Sequence, residues 1–200
     1  MYRSEEEKSK IILKNVLTML SNRIYYDKHA KTIDTQIKYK LLDPENCSLE
    51  LKSDLTYTMT ANNKAKYVLK IIFRKITSTG KNSEITDLIK EYHGHKIILV
   101  ATDFADRIMT FAKEHKVELF KEASLLQDII SNHLQPKFQP LTPLEWEQVK
   151  REYHGSEYTF PKIKRSDPVV KYFALRKGDA IRIIRPSPTS GESIGYRIVD

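Results

Sequence analysis

The chain has 200 residues, with 34 Lys+Arg against 26 Asp+Glu, a net charge of +8, and 40% apolar residues. That balance describes a folded globular chain and excludes a disordered tail. Its longest plain apolar run, Ile97 to Ala101, falls far short of the ~20 residues of a membrane-spanning helix. The acidic opening Met1-Tyr2-Arg3-Ser4-Glu5-Glu6-Glu7 has no apolar core behind it and does not read as a secretory signal. Cys47 is the single cysteine, so neither an internal disulfide nor a Cys-rich zinc site is expected, and a reducing compartment is.

Ser4 and Glu7 form a capping-box pattern, and Ile12, Val16, Met19 and Leu20 recur at helical spacing. They predict a helix over 5–23. Residues 27–42 are mixed and carry no clear pattern, and 43–46 read as a turn. Residues 55–60 and 67–73 are β-branched and aromatic, and the stretch 61–64 between them predicts a hairpin. Ser83 is placed to cap a short helix through Ile85, Leu88 and Ile89. Lys96 to Ala101 reads as a strand covered on both faces. Asp103 is expected to start the next helix, through Ile108, Phe111 and Ala112, with a short strand following at 117–120. Helix and strand alternating at this spacing predict parallel pairing.

Pro136, Pro140 and Pro143 fall within eight residues and read as a boundary, so two domains are expected, 1–135 and 136–200. Thr142-Pro143-Leu144-Glu145 starts a new helix, with Leu144, Val149 and Tyr153 expected on its buried side and Trp146 nearby. Asp167-Pro168 repeats the cap-then-proline signal. Lys177-Gly178-Asp179 is a turn, and two strands follow, 180–185 and 194–199, joined by a loop over 186–191. The expected class is α/β (α+β): a mixed sheet with flanking helices, then a small two-layer α/β domain.

Three patterns bear on chemistry. Asp43, Glu50 and Lys52 mimic the carboxylate–lysine set of divalent-metal nucleases. Acid-x-Lys pairs arise freely in a chain this rich in both types. His93 and His95 would share one side of a strand and could ligate a metal, but no third ligand is marked out; the plainer reading is a helix end with Gly94 just beyond it. Lys162 to Arg185 holds eight basic groups opposed only by Asp167 and Asp179. It reads either as a solvated rim or as a docking face for an acidic partner or phosphates. No phosphate-binding loop or nucleophile elbow is present in the sequence, and no cofactor is expected.

The run from Asp167-Pro168-Val169-Val170-Lys171-Tyr172 through Leu175-Arg176-Lys177-Gly178 to Arg185-Pro186-Ser187 and Tyr196-Arg197 is specific. It resembles the C-terminal assembly domain of the fifth, "jaw" subunit shared by eukaryotic nuclear RNA polymerases, a domain that also stands alone as a small subunit of archaeal RNA polymerase. Lys171 stands where that family prefers Arg, and Ala174 where it has Gly. The first 140 residues match the family's N-terminal jaw domain by pattern, with residues 27–55 shortened. The resemblance implies a non-catalytic subunit that docks on the largest subunit, with Tyr172, Arg176, Lys177, Arg185, Tyr196 and Arg197 contributing to the partner face. It also implies a jaw beside the downstream DNA. The family's Thr-Pro-x-Ala loop reads here as Thr102-Asp103-Phe104-Ala105, making Thr102, Phe104 and Ala105 the DNA-proximal residues. Asp103 is a poor neighbour for phosphate, so weak duplex contact is expected. The expected partners are other polymerase subunits and duplex DNA, with no membrane and no homo-oligomer. The divergence suggests a copy encoded by a large DNA virus, hence host cytoplasm and virion; a cellular copy would be nuclear. A free-standing DNA-binding module and a metal-dependent nuclease are the alternatives.

Overall fold

The structure is a computed structural model and describes all residues except 1–3, 27, 28, 35, 45, 46, 81, 82, 129, 131, 133 and 156–158. In chain order the helix α1 (Glu5–Asn22) is followed by strands β1 (Ile24–Tyr26), β2 (Lys38–Lys40), β3 (Leu49–Ser53), β4 (Thr56–Thr60) and β5 (Lys66–Ile76). Then come α2 (Glu84–Glu91), β6 (Lys96–Phe104), α3 (Asp106–Glu114), β7 (Glu118–Lys121) and α4 (Glu122–Leu125). The chain closes with β8 (Lys137–Pro140), α5 (Pro143–Glu152), β9 (Lys162–Ile163), α6 (Pro168–Tyr172), β10 (Ala180–Ser187) and β11 (Gly191–Val199). Helices and mixed sheets give the expected α/β class. No helix among the described residues is long and apolar enough to cross a membrane.

The chain divides into two compact units, one of Met1–Ser21 with Leu41–Asp128 and one of Asn22–Lys40 with Ile129–Asp200. The first holds a five-stranded sheet in the order β3-β4-β5-β6-β7. The β3–β4 and β4–β5 pairs are antiparallel, β5–β6 and β6–β7 parallel, as the alternation of helix and strand predicts. Val68, Ile97, Leu99 and Ala101 pack against Ile85 and Leu88 of α2 and Ile108 and Ala112 of α3. The alternate residues Leu69, Ile71, Ile98 and Val100 are buried as well. Coverage of both faces is the physical reason for the near-continuous apolar run. The Ser4–Glu7 capping box forms in both directions, and α1 buries Ile12, Val16, Met19 and Leu20. Lys8 pairs with Glu122 at 2.8 Å, and the Asn15 side chain donates to the Leu125 carbonyl at 2.7 Å. These contacts fasten α1 to α4.

Asp103 does not start a helix. The strand runs on to Phe104, and Ala105 is the N-cap of α3. Asp103 is the register partner of Lys75 on β5, and its carboxylate meets Lys75 at 3.2 Å and Lys121 of β7 at 2.7 Å. A cross-strand row of opposite charges keeps the backbone extended there. Ser83 does stand at the N-cap of α2, but its hydroxyl meets the Thr86 hydroxyl rather than a backbone N–H.

The second unit holds a four-stranded sheet in the order β8-β10-β11-β9. The expected antiparallel pair β10–β11 forms, but both strands are longer than predicted and only 188–190 turn, with Gly191 at φ +73°. The proline-rich boundary contains β8, an edge strand paired antiparallel to β10. An edge position tolerates Pro140 because the missing N–H can face outward, and Pro136 lies just before the strand. Trp146 and Val149 of α5 pack on Ala180 and Ile198, while Val169 and Phe173 lie against Ile181 and Ile183. Alternation puts these two sets on opposite faces. Helices therefore flank both faces of this sheet, where two layers were expected. Tyr153, expected on the buried side of α5, is 59% exposed; Val149 is buried as expected, and Trp146 joins it in the core as its (i, i+3) partner. The 27–42 stretch, unplaced from sequence, contributes β2, which pairs antiparallel with β1 just before the stretch, with the Tyr25 and Tyr39 rings stacked at 5.1 Å. Of the expected 43–46 turn, residues 45 and 46 lie outside the described residues.

Candidate functional site

The site grows from α6. The Asp167 side chain accepts the Val169 N–H at 2.9 Å, and Pro168 follows as the first helical residue. A proline there leaves no orphan donor behind. At the other end, Arg23 is buried at 4% exposure; its Nε donates to the Tyr172 carbonyl at 2.8 Å and Nη2 to the Lys171 carbonyl at 3.2 Å. A fixed cation over the last carbonyls of a helix adds donors where the helix runs out of them, although the Lys171 carbonyl also accepts the Ala174 N–H at 3.1 Å. Asn22 Nδ2 donates to the Tyr172 hydroxyl at 2.8 Å, and the Tyr172 ring stands edge-on to Phe173. Ala174 leaves the helix at φ +52°. The Arg176 N–H then donates to Asp179 Oδ2 at 2.7 Å, closing the turn in which Gly178 takes φ +88°. The side chains of Arg176 and Lys177 are exposed beside it. Tyr26 lies near this turn; burial, then the Asp179 charge, pushes its phenol above the ordinary range, against Arg176.

Both acids of the basic stretch are thus occupied by backbone N–H groups. No described carboxylate lies within ion-pair distance of Lys164, Arg165, Lys171, Lys177 or Arg185.

A cleft of about 580 Å³ opens on the α6 side of the sheet. Phe138, Ile163, Val169 and Ile183 line its base, Leu134, Pro136 and Pro186 its apolar rim, and Arg185 and Arg197 supply cationic groups. Arg185 follows Ile183 by two residues on β10, and Arg197 on β11 is the register partner of Ile181, so strand geometry puts both arginines on this face. Arg197 Nη1 donates to the Lys162 carbonyl at 3.4 Å. Tyr196 belongs to the opposite face, in an aromatic group with Tyr153 and Phe160, under the Arg182 guanidinium at 5.6 Å. The six sequence-predicted partner residues therefore separate: Tyr172, Arg176 and Lys177 around the end of α6, Arg185 and Arg197 in the cleft, and Tyr196 behind the sheet. Sequence reasoning missed Arg23, Leu134, Phe138 and Ile183. The alternation within 181–185 could have pointed to Ile183; Arg23 carries no local signal, because its partners lie almost 150 positions away.

Of the expected DNA-proximal residues, Thr102 is exposed and donates to Glu122 at 3.1 Å, while Phe104 is buried at 8% in the core and Ala105 is half-buried at the helix start. The two lysines draw the Asp103 carboxyl far below its ordinary range: first the Lys121 hydrogen bond, then that of Lys75. In the nuclease-like set, Glu50 pairs with Lys52 at 2.6 Å on the exposed edge strand β3, and that contact lowers the Glu50 carboxyl. His93 and His95 sit in the turn after α2, around Gly94 at φ +83°, as the plainer reading has it. No group of three or more metal-ligating side chains occurs among the described residues.

The family described as "RNA polymerase Rpb5, C-terminal domain" matches residues 127–199, the stretch that builds α6 and the cleft. The similar proteins are DNA-directed RNA polymerase subunits. DNA-directed RNA polymerase subunit 5 of Acanthamoeba polyphaga mimivirus is 46% identical over 199 residues, covering 98% of this chain and 94% of that one. The subunit RPABC1 of RNA polymerases I, II and III from Caenorhabditis elegans is 29% identical, covering 94% and 93%. Its Dictyostelium discoideum counterpart is 35% identical over 119 residues, covering 56% and 60%. The chain belongs to the Rpb5 family of RNA polymerase subunits.

Proposed function

We propose that this polymerase subunit is non-catalytic and assembles on the largest subunit through residues 136–200, while residues 1–135 lie along the downstream DNA. The observation that carries the docking reading is the uncompensated basic rim. Asp167 and Asp179 are tied to backbone N–H groups, which leaves the surrounding Lys and Arg side chains to seek an acidic surface. Such complementarity sets orientation and encounter rate more than affinity, with Tyr172 and neighbouring apolar side chains adding buried area. The metal chemistry of RNA synthesis then belongs to the large subunits, and the purified chain leaves duplex DNA intact with Mg²⁺ or Mn²⁺. The likeness to a mimivirus subunit supports a viral copy, working in host cytoplasm and packaged in the virion.

Co-expression of the full chain with its polymerase subunits tests the reading. Wild type is recovered with the largest subunit, and the double charge reversal Arg176→Glu/Lys177→Glu lowers recovery roughly tenfold. Undiminished recovery of the double variant overturns the role of this rim.

A further inference from the structure

The cleft on the α6 face has a composition distinct from the rim. Its base is apolar, with Phe138, Ile163, Val169 and Ile183, and the exposed rim residue Leu134 has 80% of its surface in solvent. Its charged lining consists of Arg185, Arg197 and Asp167. Asp167 is committed to the Val169 N–H as the cap of α6. Of the five N–H donors an arginine carries, Arg197 places one on the Lys162 carbonyl, and no described carboxylate lies within ion-pair distance of Arg185. Two guanidinium forks above an apolar floor suit carboxylates flanking a hydrophobic anchor.

We propose that this cleft receives an inserted acidic peptide segment of a partner polymerase subunit. An aliphatic or aromatic side chain of the segment enters among Phe138, Val169 and Ile183, and its carboxylates meet Arg185 and Arg197. The inference rests on the docking reading and gives that contact a place and a chemistry. It differs from a flat electrostatic face in requiring an anchor as well as charge. A duplex phosphate backbone would use the arginines but leave the apolar floor unfilled.

The test uses the full chain in two arms. In the first, a fluorescein-labelled Glu-Asp-Leu-Phe-Asp-Glu peptide is titrated and read by anisotropy. It binds wild type, and Arg185→Glu/Arg197→Glu weakens it roughly tenfold or more, with Leu134→Ser a smaller loss, at unchanged melting temperature. Lys14→Glu, a charge reversal on α1, leaves binding as it was. Equal binding of the amide peptide Gln-Asn-Leu-Phe-Asn-Gln, equal binding by the double variant, or no binding of the acidic peptide to wild type overturns the proposal. So does displacement of the bound peptide by a short DNA duplex at equal charge concentration. In the second arm, the same variants are co-expressed with the polymerase subunits. Wild type that assembles while Arg185→Glu/Arg197→Glu does not supports the cleft. Wild type and double variant assembling equally sink the cleft alone, and failure of wild type to assemble sinks the docking reading itself.

Discussion

Ala174 holds φ +52° at the end of α6, a region that side chains with a Cβ occupy only at a cost. The glycine that the resemblance implies at this position would avoid that cost. Ala174→Gly is expected to raise stability by about 0.5–1 kcal/mol, a rise of about 2 °C in melting temperature by calorimetry. Gly178, at φ +88° with open space around the position of a Cβ, predicts the opposite: Gly178→Ala costs about 1 kcal/mol from backbone strain alone. Arg23 carries more. Removing its charge-assisted hydrogen bonds leaves the Tyr172 and Lys171 carbonyls without this donor, so Arg23→Met should cost about 2 kcal/mol or more in urea denaturation. Arg23→Lys, which keeps the charge but not the fork, should recover only part of it.

At the scale of the element, α5 shows how local chemistry and tertiary partners combine. The Thr142–Glu145 capping box is complete, and Lys38 of β2 reaches the same carboxylate at 2.5 Å. Burial by itself would raise the Glu145 carboxyl, but the Lys38 and Thr142 hydrogen bonds outweigh it and hold the group below its ordinary range. A carboxyl lowered in the folded state stabilises above its unfolded pKa, and that contribution is lost as pH falls through the folded value. Acid melts should therefore show wild type losing stability below about pH 4.5, with the loss shallower in Glu145→Gln. The two caps at Thr142 and Asp167 were legible because each acts within three residues. The start of α3 was not, since Asp103 satisfies the rule for a cap and is instead claimed by lysines on both neighbouring strands. Tyr153 differs for a related reason: helical spacing offers overlapping candidate faces that share Val149, and packing against Ala180 and Ile198 selects the one that carries Trp146.

For the whole molecule, the charge distribution sets what it can bind. The row of Lys75, Asp103 and Lys121 neutralises cations at the ends of parallel strands, where the jaw reading would bring DNA. Wild type should bind duplex DNA weakly, with a shallow salt dependence. Asp103→Asn should release both lysines and tighten binding several-fold with a steeper salt slope, measured by anisotropy. The sequence alone determined the class, the order of most elements, the caps at Ser4, Thr142 and Asp167, and the family, because these rest on periodicities of two and 3.6, on short-range hydrogen bonds and on an ungapped run of unusual residue pairs. Only the tertiary structure decided that Tyr196 lies behind the sheet from Arg185 and Arg197, that Arg23 caps a distant helix, and that a cleft exists at all. Those facts depend on which strands pair and in what register, and side chains far apart in the chain meet only once that pairing is made.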